Sequence, residues 1–314
     1  MKPWLPLLLA VVAALLHAQE PAATFRTDVQ LVSLPLTVRD AEGRLVTGLT
    51  RDDFEVFEDG ERQPISFFAP SAGLPLSLGL IFDGSGSQSG FTRKYRRDLR
   101  DFFSSVMTPD ADHAFLVGFG NRIRLITDFT ASNDTMLGAL EAYYKERLRG
   151  MSLMGPPDEK RSEGTAFYDA IYYAVKDKLS AADQRRKGIV MFSDGEDNSS
   201  AHHLLDAIEA AQTAGAPVFC IRYIDADDGR LTARNKYGIS VMNRIALETG
   251  GADFDAVTGN LQEAFAAIRD QLKSSYELSY ASTHPERDGT FRKVVIRPRK
   301  PGLKVRHKTG YYAR

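Results

Sequence analysis

The chain has 314 residues, 43% of them hydrophobic and 26% charged, with 40 basic against 41 acidic side chains and a formal net charge of -1. That length favours two domains, or one large domain with an appendage, and the composition excludes a chain too polar to build a core. The even charge balance argues against nucleic acid or an anionic membrane as the main partner.

The first residues, MKPWLPLLLAVVAALLHAQEP, hold one lysine, an apolar run from Leu5 to Leu16 and the small Ala18. This is the pattern of a secretory signal peptide over residues 1–18. The run falls short of the roughly 20 apolar residues that a membrane helix requires. The expectation is export to the periplasm or the outside of the cell, with no stable membrane span after cleavage. Cys220 is the single cysteine and lies in the apolar run PVFCIRYI, so it reads as a small buried hydrophobe without a disulfide partner.

Over residues 19–70 short alternating runs carry Leu36, Val38, Val46, Phe54, Val56, Ile65 and Phe67, separated by turn-rich pieces such as EDGE. They predict a small antiparallel unit of three or four strands. APSAGLP, residues 69–75, reads as a linker.

From Leu76 the pattern changes. LSLGLIF, HAFLVGFG, IRLITDF, GIVMFSDG and APVFCIRYI read as strands, the near-continuous apolar ones being covered on both faces. TRKYRRDLRDFFSSVM, DTMLGALEAYYKERL, TAFYDAIYYAVKDKLS, HHLLDAIEAAQTAG, SVMNRIALETGG and NLQEAFAAIRDQLKSSY read as helices between them. The fold class is therefore α/β over about residues 75–275: a doubly wound, mostly parallel sheet with helices on both faces. Residues 276–314, with YELSYAST, FRKVVIRP and LKVRHKTGYY, form three further strands too short to bury a core alone. They are expected to pair with the N-terminal strands in one small β unit. The alternation of their basic residues with Val, Ile and Leu marks strands with a wet face.

Ligands of open parallel sheets sit at the carboxyl ends of the strands. Two apolar strands end there in aspartate, as LIF-Asp83-Gly-Ser85-Gly-Ser87 and VMFS-Asp194-Gly-Glu-Asp197, and Gly164-Thr165 opens a helix at the same edge. These segments offer oxygen alone: the carboxylates of Asp83 and Asp194 and the hydroxyls of Ser85, Ser87 and Thr165. Such a set suits a hard divalent cation, Mg²⁺ first and Mn²⁺ or Ca²⁺ after it. A lysine would compete with the ion, and histidine would favour softer metals.

Asp83-x-Ser85-x-Ser87, Gly164-Thr165 and Ser193-Asp194-Gly195 together resemble the metal-ion-dependent adhesion site of von Willebrand factor type A domains, over roughly residues 75 to 275. The flanking segments resemble those of an exported acidobacterial subgroup. The resemblance implies direct metal contacts from Ser85, Ser87 and Thr165. It also implies contacts mainly through water from Asp83 and Asp194, and a vacant position for an acidic side chain of a protein partner. It implies an exported adhesion or interaction module, not an enzyme. The loop GMSLMGPPDEKRSEG before Thr165 is where partner specificity is expected.

Other readings compete. GSGSQSG lacks the Gly-Lys-Ser/Thr of a phosphate loop, and no Gly-x-Ser-x-Gly elbow occurs at Ser85, Ser87 or Ser89. A metal-dependent hydrolase of the phosphoesterase type stays open, as does a scaffold whose metal only stiffens its loops. Glu196 and Asp197 read as solvated loop residues or caps of the following helix. Asp169 reads as a solvent-facing residue of a first helical turn, and His202 and His203 as surface residues. Asp225, Asp227 and Asp228 lack the spacing of an EF-hand and read as an acidic loop.

Overall fold

The computed structural model describes residues 31–71, 73–145, 151–156, 164–182, 185–224, 230–273 and 276–314. The proposed signal peptide, most of the loop before Thr165 and the acidic stretch at 225–228 lie outside them.

The central sheet has seven strands: β5 (Leu76–Asp83), β6 (His113–Phe119), β7 (Ile123–Thr130), β8 (Ser152–Leu153), β9 (Arg186–Ser193), β10 (Val218–Arg222) and β11 (Asp253–Asp255). Their order is β11-β10-β9-β5-β6-β7-β8. β11, β10, β9, β5 and β6 run parallel, and β7 and β8 complete one edge antiparallel. All eight residues of β5 are buried, as its unbroken apolar run requires at the centre of a doubly covered sheet.

Six helices cover the sheet among the described residues. α1 (Thr92–Val106), α2 (Asn133–Tyr144) and α6 (Leu261–Lys273) close one face, and α3 (Phe167–Tyr173), α4 (Leu204–Ala214) and α5 (Ala233–Thr249) the other. In α1 the buried residues Tyr95, Leu99, Phe102, Phe103 and Val106 recur at the helical period. Phe102 meets Phe265 of α6 edge-on at 5.2 Å. α3 continues into a wider π turn over Ala174–Leu179. α5 begins earlier than its apolar stretch, because Thr232 accepts the Asn235 N–H and caps the chain there.

The terminal strands build two further sheets. β1 (Leu31–Arg39), β4 (Ile65–Pro70), β12 (Tyr276–Ala281) and β14 (Lys304–Arg306) form one, in the order β14-β1-β12-β4. β2 (Phe54–Glu58), β3 (Glu61–Gln63), β13 (Phe291–Pro298) and β15 (Gly310–Tyr312) form the other, in the order β15-β13-β2-β3. Between them a single core holds Leu34, Val38, Val56, Leu278, Tyr280 and Ile296. Two sequence expectations change here. Ala69 and Pro70 belong to β4 and not to a linker, Ala69 lying opposite Glu277 of β12. The last tail segment splits into β14 and β15 with a break between them.

Lys308, in that break, is buried and donates from Nζ to the Gln212 carbonyl at 2.9 Å. Burial pushes its ammonium down to about 8, against an ordinary value near 10.4. The unfolded chain then binds more protons between these two values, so stability should rise with pH across that window and the penalty should be complete below it. Lys308→Met is expected to remove this rise, and at neutral pH to change stability upward by up to about 3 kcal/mol. Urea unfolding at pH 7 and pH 10 checks both.

Candidate metal centre

Strand order turns back between β5 and β9. From β5 the chain moves outward through β6, β7 and β8, then returns to β9 on the other side and continues to β10 and β11. The carboxyl ends of β5 and β9 are therefore the switch point at which open sheets form a crevice. Phe82 lies opposite Phe192 in the parallel register, which brings Asp83 beside Ser193 and the turn that follows.

Asp83, at the end of β5, is almost fully buried. Its Oδ1 accepts the Ser85 N–H at 2.9 Å, and its Oδ2 accepts the Ser193 hydroxyl at 2.8 Å. The Ser85 and Ser87 hydroxyls stand 3.1 Å apart. Asp194 is also buried. Its Oδ2 accepts the Gln88 amide at 2.6 Å and, more weakly, the Ser87 hydroxyl at 3.5 Å, while its Oδ1 accepts the Glu196 N–H at 3.0 Å. Four of the five predicted residues are thus joined in one hydrogen-bonded cluster.

No described hydrogen bond joins Thr165 to the other four; it is held through its backbone by the loop after β9. Its N–H donates to Asn198 Oδ1 at 2.7 Å, and its carbonyl accepts from the N–H groups of Asn198 and Ser199. The next N–H, of Ala166, donates to the Gly120 carbonyl at 2.9 Å, and Gly120 lies against Gly84 and the Ser85 nitrogen. Two glycines permit this closeness. Gly164 has φ of +115°, and a Cβ there would stand 2.6 Å from Asn198 Oδ1. A Cβ on Gly238 of α5 would stand 2.2 Å from the Asp194 carbonyl oxygen, so only glycine lets this helix press on the second loop.

Every hydrogen bond described at Asp83 and Asp194 comes from a neutral group. Burial pushes the Asp83 carboxyl up to about 7; hydrogen bonds from Ser85 oppose the rise and the nearby Asp194 charge adds to it. Two buried carboxylates with neutral donors, and the Ser85 and Ser87 hydroxyls beside them, offer oxygen atoms of the kind a hard divalent cation takes. No group of three or more His, Cys, Asp or Glu side chains with metal-binding placement occurs among the described residues. The Asp83–Asp194 cluster, with two carboxylates, is not such a group.

Several neighbours take roles that differ from the sequence reading. Asp197 does not cap the helix that follows it. It accepts the N–H groups of Phe167 at 2.8 Å and Tyr168 at 3.3 Å, at the start of α3, because the loop after β9 crosses that helix end. Asp169 is fully buried and not solvent-facing. It accepts the Ala201 and His202 N–H groups, each at 2.9 Å, and faces His202 Nδ1 at 2.7 Å. His202 is accordingly fixed, with its ring stacked on Tyr172 at 3.7 Å. Glu196 pairs with Arg234 at 2.6 Å. Gln88 and Asn198 are the supporting residues that motif reading passes over. Gln88 lies inside the first quoted loop and Asn198 just beyond the second, and nothing in their spacing marks Gln88 as buried or either as bonded.

The von Willebrand factor type A domain model matches residues 78–250. No curated protein matches the chain. Among solved structures, it is similar to BatB from Bacteroides thetaiotaomicron, with 15% identity, a TM-score of 0.46 and coverage of 63% of this chain and 100% of that one. It is also similar to proximal thread matrix protein 1 from the mussel byssus, a structure with a zinc-occupied MIDAS motif, at 14% identity, TM-score 0.47 and coverage of 68% and 49%. A point variant of the PilB minor pilin from Streptococcus sanguinis has 14% identity, TM-score 0.46 and coverage of 65% and 62%. At these identities no function passes from them to this chain. The family match spans more than half of the sequence, and on that ground the chain belongs to the von Willebrand factor type A domain family.

Proposed function

We propose that the protein is an exported, metal-dependent binding module. Asp83, Ser85, Ser87, Thr165 and Asp194 hold one divalent cation, Mg²⁺ by preference. The cation accepts an acidic side chain from a protein partner. One observation carries this reading: two buried carboxylates at the sheet's switch point are served by neutral donors alone. Ser87 and Gly86 are exposed on the outer side of the cluster, which leaves a direction from which a partner can approach. When bound, the cation supplies positive charge that makes burial of a partner carboxylate favourable; an unpaired charge there would be costly.

The protein's own residues do the positioning. Ser193 and the Ser85 N–H fix Asp83, Gln88 and the Glu196 N–H fix Asp194, and Asn198 fixes the backbone of Thr165. Export rests on the apolar run of residues 5–16 and the small Ala18, and no helix among the described residues is long and apolar enough to cross a membrane. Mass measurement of the exported form tests the cleavage; an intact Met1 would contradict it.

The deciding experiment is capture of partners from native extracts with Mg²⁺ and with EDTA. Capture is expected with the metal and lost with the chelator. Thr165→Ala should weaken capture about tenfold or more without lowering the unfolding midpoint, since the mutation removes a hydroxyl and keeps the backbone bonds. Capture unchanged by EDTA would overturn the adhesion reading, and phosphoester turnover abolished by Asp83→Ala would replace it with a hydrolase.

A further inference from the structure

A second cleft lies away from the switch point, where the edge strand β11 and helices α5 and α6 of the central sheet meet β13 and β14 of the terminal sheets. Its volume is about 590 Å³, within the range of small-molecule sites. One side is apolar, with Leu247 of α5, Phe254 of β11 and Val305 of β14 among its lining residues. Leu247 is 64% exposed, in the same turns of α5 that bury Val241, Met242, Ile245 and Ala246.

Arg39, Lys293 and Arg306 also line this cleft. The single acid of the lining, Asp253, is already engaged, by Arg222 at 3.0 Å and by the Asn243 amide at 3.0 Å. Among the described residues none of the three cations has a carboxylate partner. The two arginines are held in place by main-chain acceptors instead, and Lys293 is exposed. Arg306 Nη1 donates to the Gly251 carbonyl at 3.1 Å, spanning from β14 to the residues before β11, and Arg39 Nη1 donates to the Gly43 carbonyl at 2.6 Å.

The strand register makes this arrangement costly. β1 and β14 pair so that Arg39 lies directly opposite Lys304 and Thr37 opposite Arg306. Arg39 and Arg306 are therefore diagonal neighbours on the same face of the pair. Like charges directly opposite one another destabilise an antiparallel pair. Burial, and after it the charge of Arg39, lowers the Arg306 guanidinium from its ordinary value, and the nearby Asp253 charge opposes the fall. Three cations against one engaged acid leave this cleft with an excess of positive charge beside apolar lining, an arrangement that an anion relieves. An inorganic ion would satisfy the charges and lose hydration against Leu247, Phe254 and Val305 without compensation. An anionic head on an aliphatic body satisfies both sides.

We infer that this cleft is a binding site for a small organic anion bearing a short aliphatic portion, with its charged head on Arg39, Lys293 and Arg306 and its tail against Leu247, Phe254 and Val305. The inference is independent of the metal centre.

Calorimetric titration of the full chain with octanoate and, separately, with monooctyl phosphate tests it below micelle-forming concentrations. Acetate and octyltrimethylammonium serve as controls for charge without tail and tail with the opposite charge. Saturable binding of either octyl anion is expected, with the better of the two identifying the head group as carboxylate or phosphate. Binding should persist in EDTA and in Asp194→Ala, which separates it from the metal site. Arg306→Gln and Arg39→Gln should each weaken it about tenfold or more, and Leu247→Asp should weaken it as well. Arg39→Gln removes a like-charge pair, so its unfolding midpoint should equal or exceed that of the parent. Failure of both octyl anions to bind, equal binding of the octyl cation, or parent-like affinity in the two arginine variants would overturn the proposal.

Discussion

Asp194→Ala is expected to lower the affinity for Mn²⁺ or Mg²⁺ by at least about a hundredfold, read by titration calorimetry or by the spin signal of free Mn²⁺. The magnitude follows from its place in the cluster. Loss of an outer-shell partner alone typically costs 10–100-fold in metal affinity, and Asp194 is one of only two carboxylates in the proposed set. Its removal takes away one of the two negative charges and also frees the Gln88 amide and the Ser87 hydroxyl that it now accepts. Stability in EDTA should change little, because two effects oppose each other. The Gln88 amide loses its acceptor, which costs stability. Asp83 loses a like-charge neighbour that now raises its pKa, which returns some. Parent-like metal affinity in this variant would contradict the assignment of Asp194 and, with it, the reading of the whole cluster.

The parts of the site legible in the sequence are those fixed by strand ends. β5 and β9 each end in a near-continuous apolar run, so their carboxyl ends are unambiguous, and the aspartates at or just beyond them must reach one edge of the sheet. The sheet's helices were legible for the same reason, since α1 and α6 carry their buried residues at helical spacing. The supporting contacts were not. Asn198 holds Thr165 across 33 positions of sequence and Gln88 holds Asp194 across 106, and no local pattern encodes a hydrogen bond between residues so far apart. Asp169 shows the limit from the other side. An acid in a first helical turn ordinarily faces water, but here the loop after β9 folds over it and supplies two N–H donors. The terminal strands were legible as strands by their alternation. Their sheet order was not, because register depends on which faces are buried against which partner.

The second large effect falls outside the metal centre. Glu58→Ala is expected to cost about 3–5 kcal/mol of stability, the range found when one member of a buried charged cluster is removed. Glu58 ends β2 and is fully buried, although it sits in the sequence EDGE, which reads as a turn. Its carboxylate accepts the Tyr280 hydroxyl at 2.7 Å, the Ser282 hydroxyl at 2.6 Å and the Tyr311 hydroxyl at 2.9 Å, with Arg292 Nη1 at 3.9 Å. Tyr280 belongs to one terminal sheet and Tyr311 to the other, so this side chain ties the two layers together through their shared core. Burial, and then the bond to Glu58, hold the Tyr280 phenol above its ordinary range, so it remains a donor. Alanine would leave two buried phenols without their acceptor, each at the cost of desolvation, and would take the nearby carboxylate from Arg292, which keeps Asp288 and the Glu286 carbonyl. Glu58→Gln keeps the shape and one carbonyl acceptor and should cost only about 1–3 kcal/mol. Urea unfolding followed by tyrosine fluorescence reads both variants. The metal affinity of the folded Glu58→Ala protein should stay at the parent value, because none of the bonds around Asp83 and Asp194 involves the terminal sheets. A drop in metal affinity that parallels the loss of stability would mean that the terminal strands shape the switch-point loops after all, and that the central sheet does not position its ligands alone.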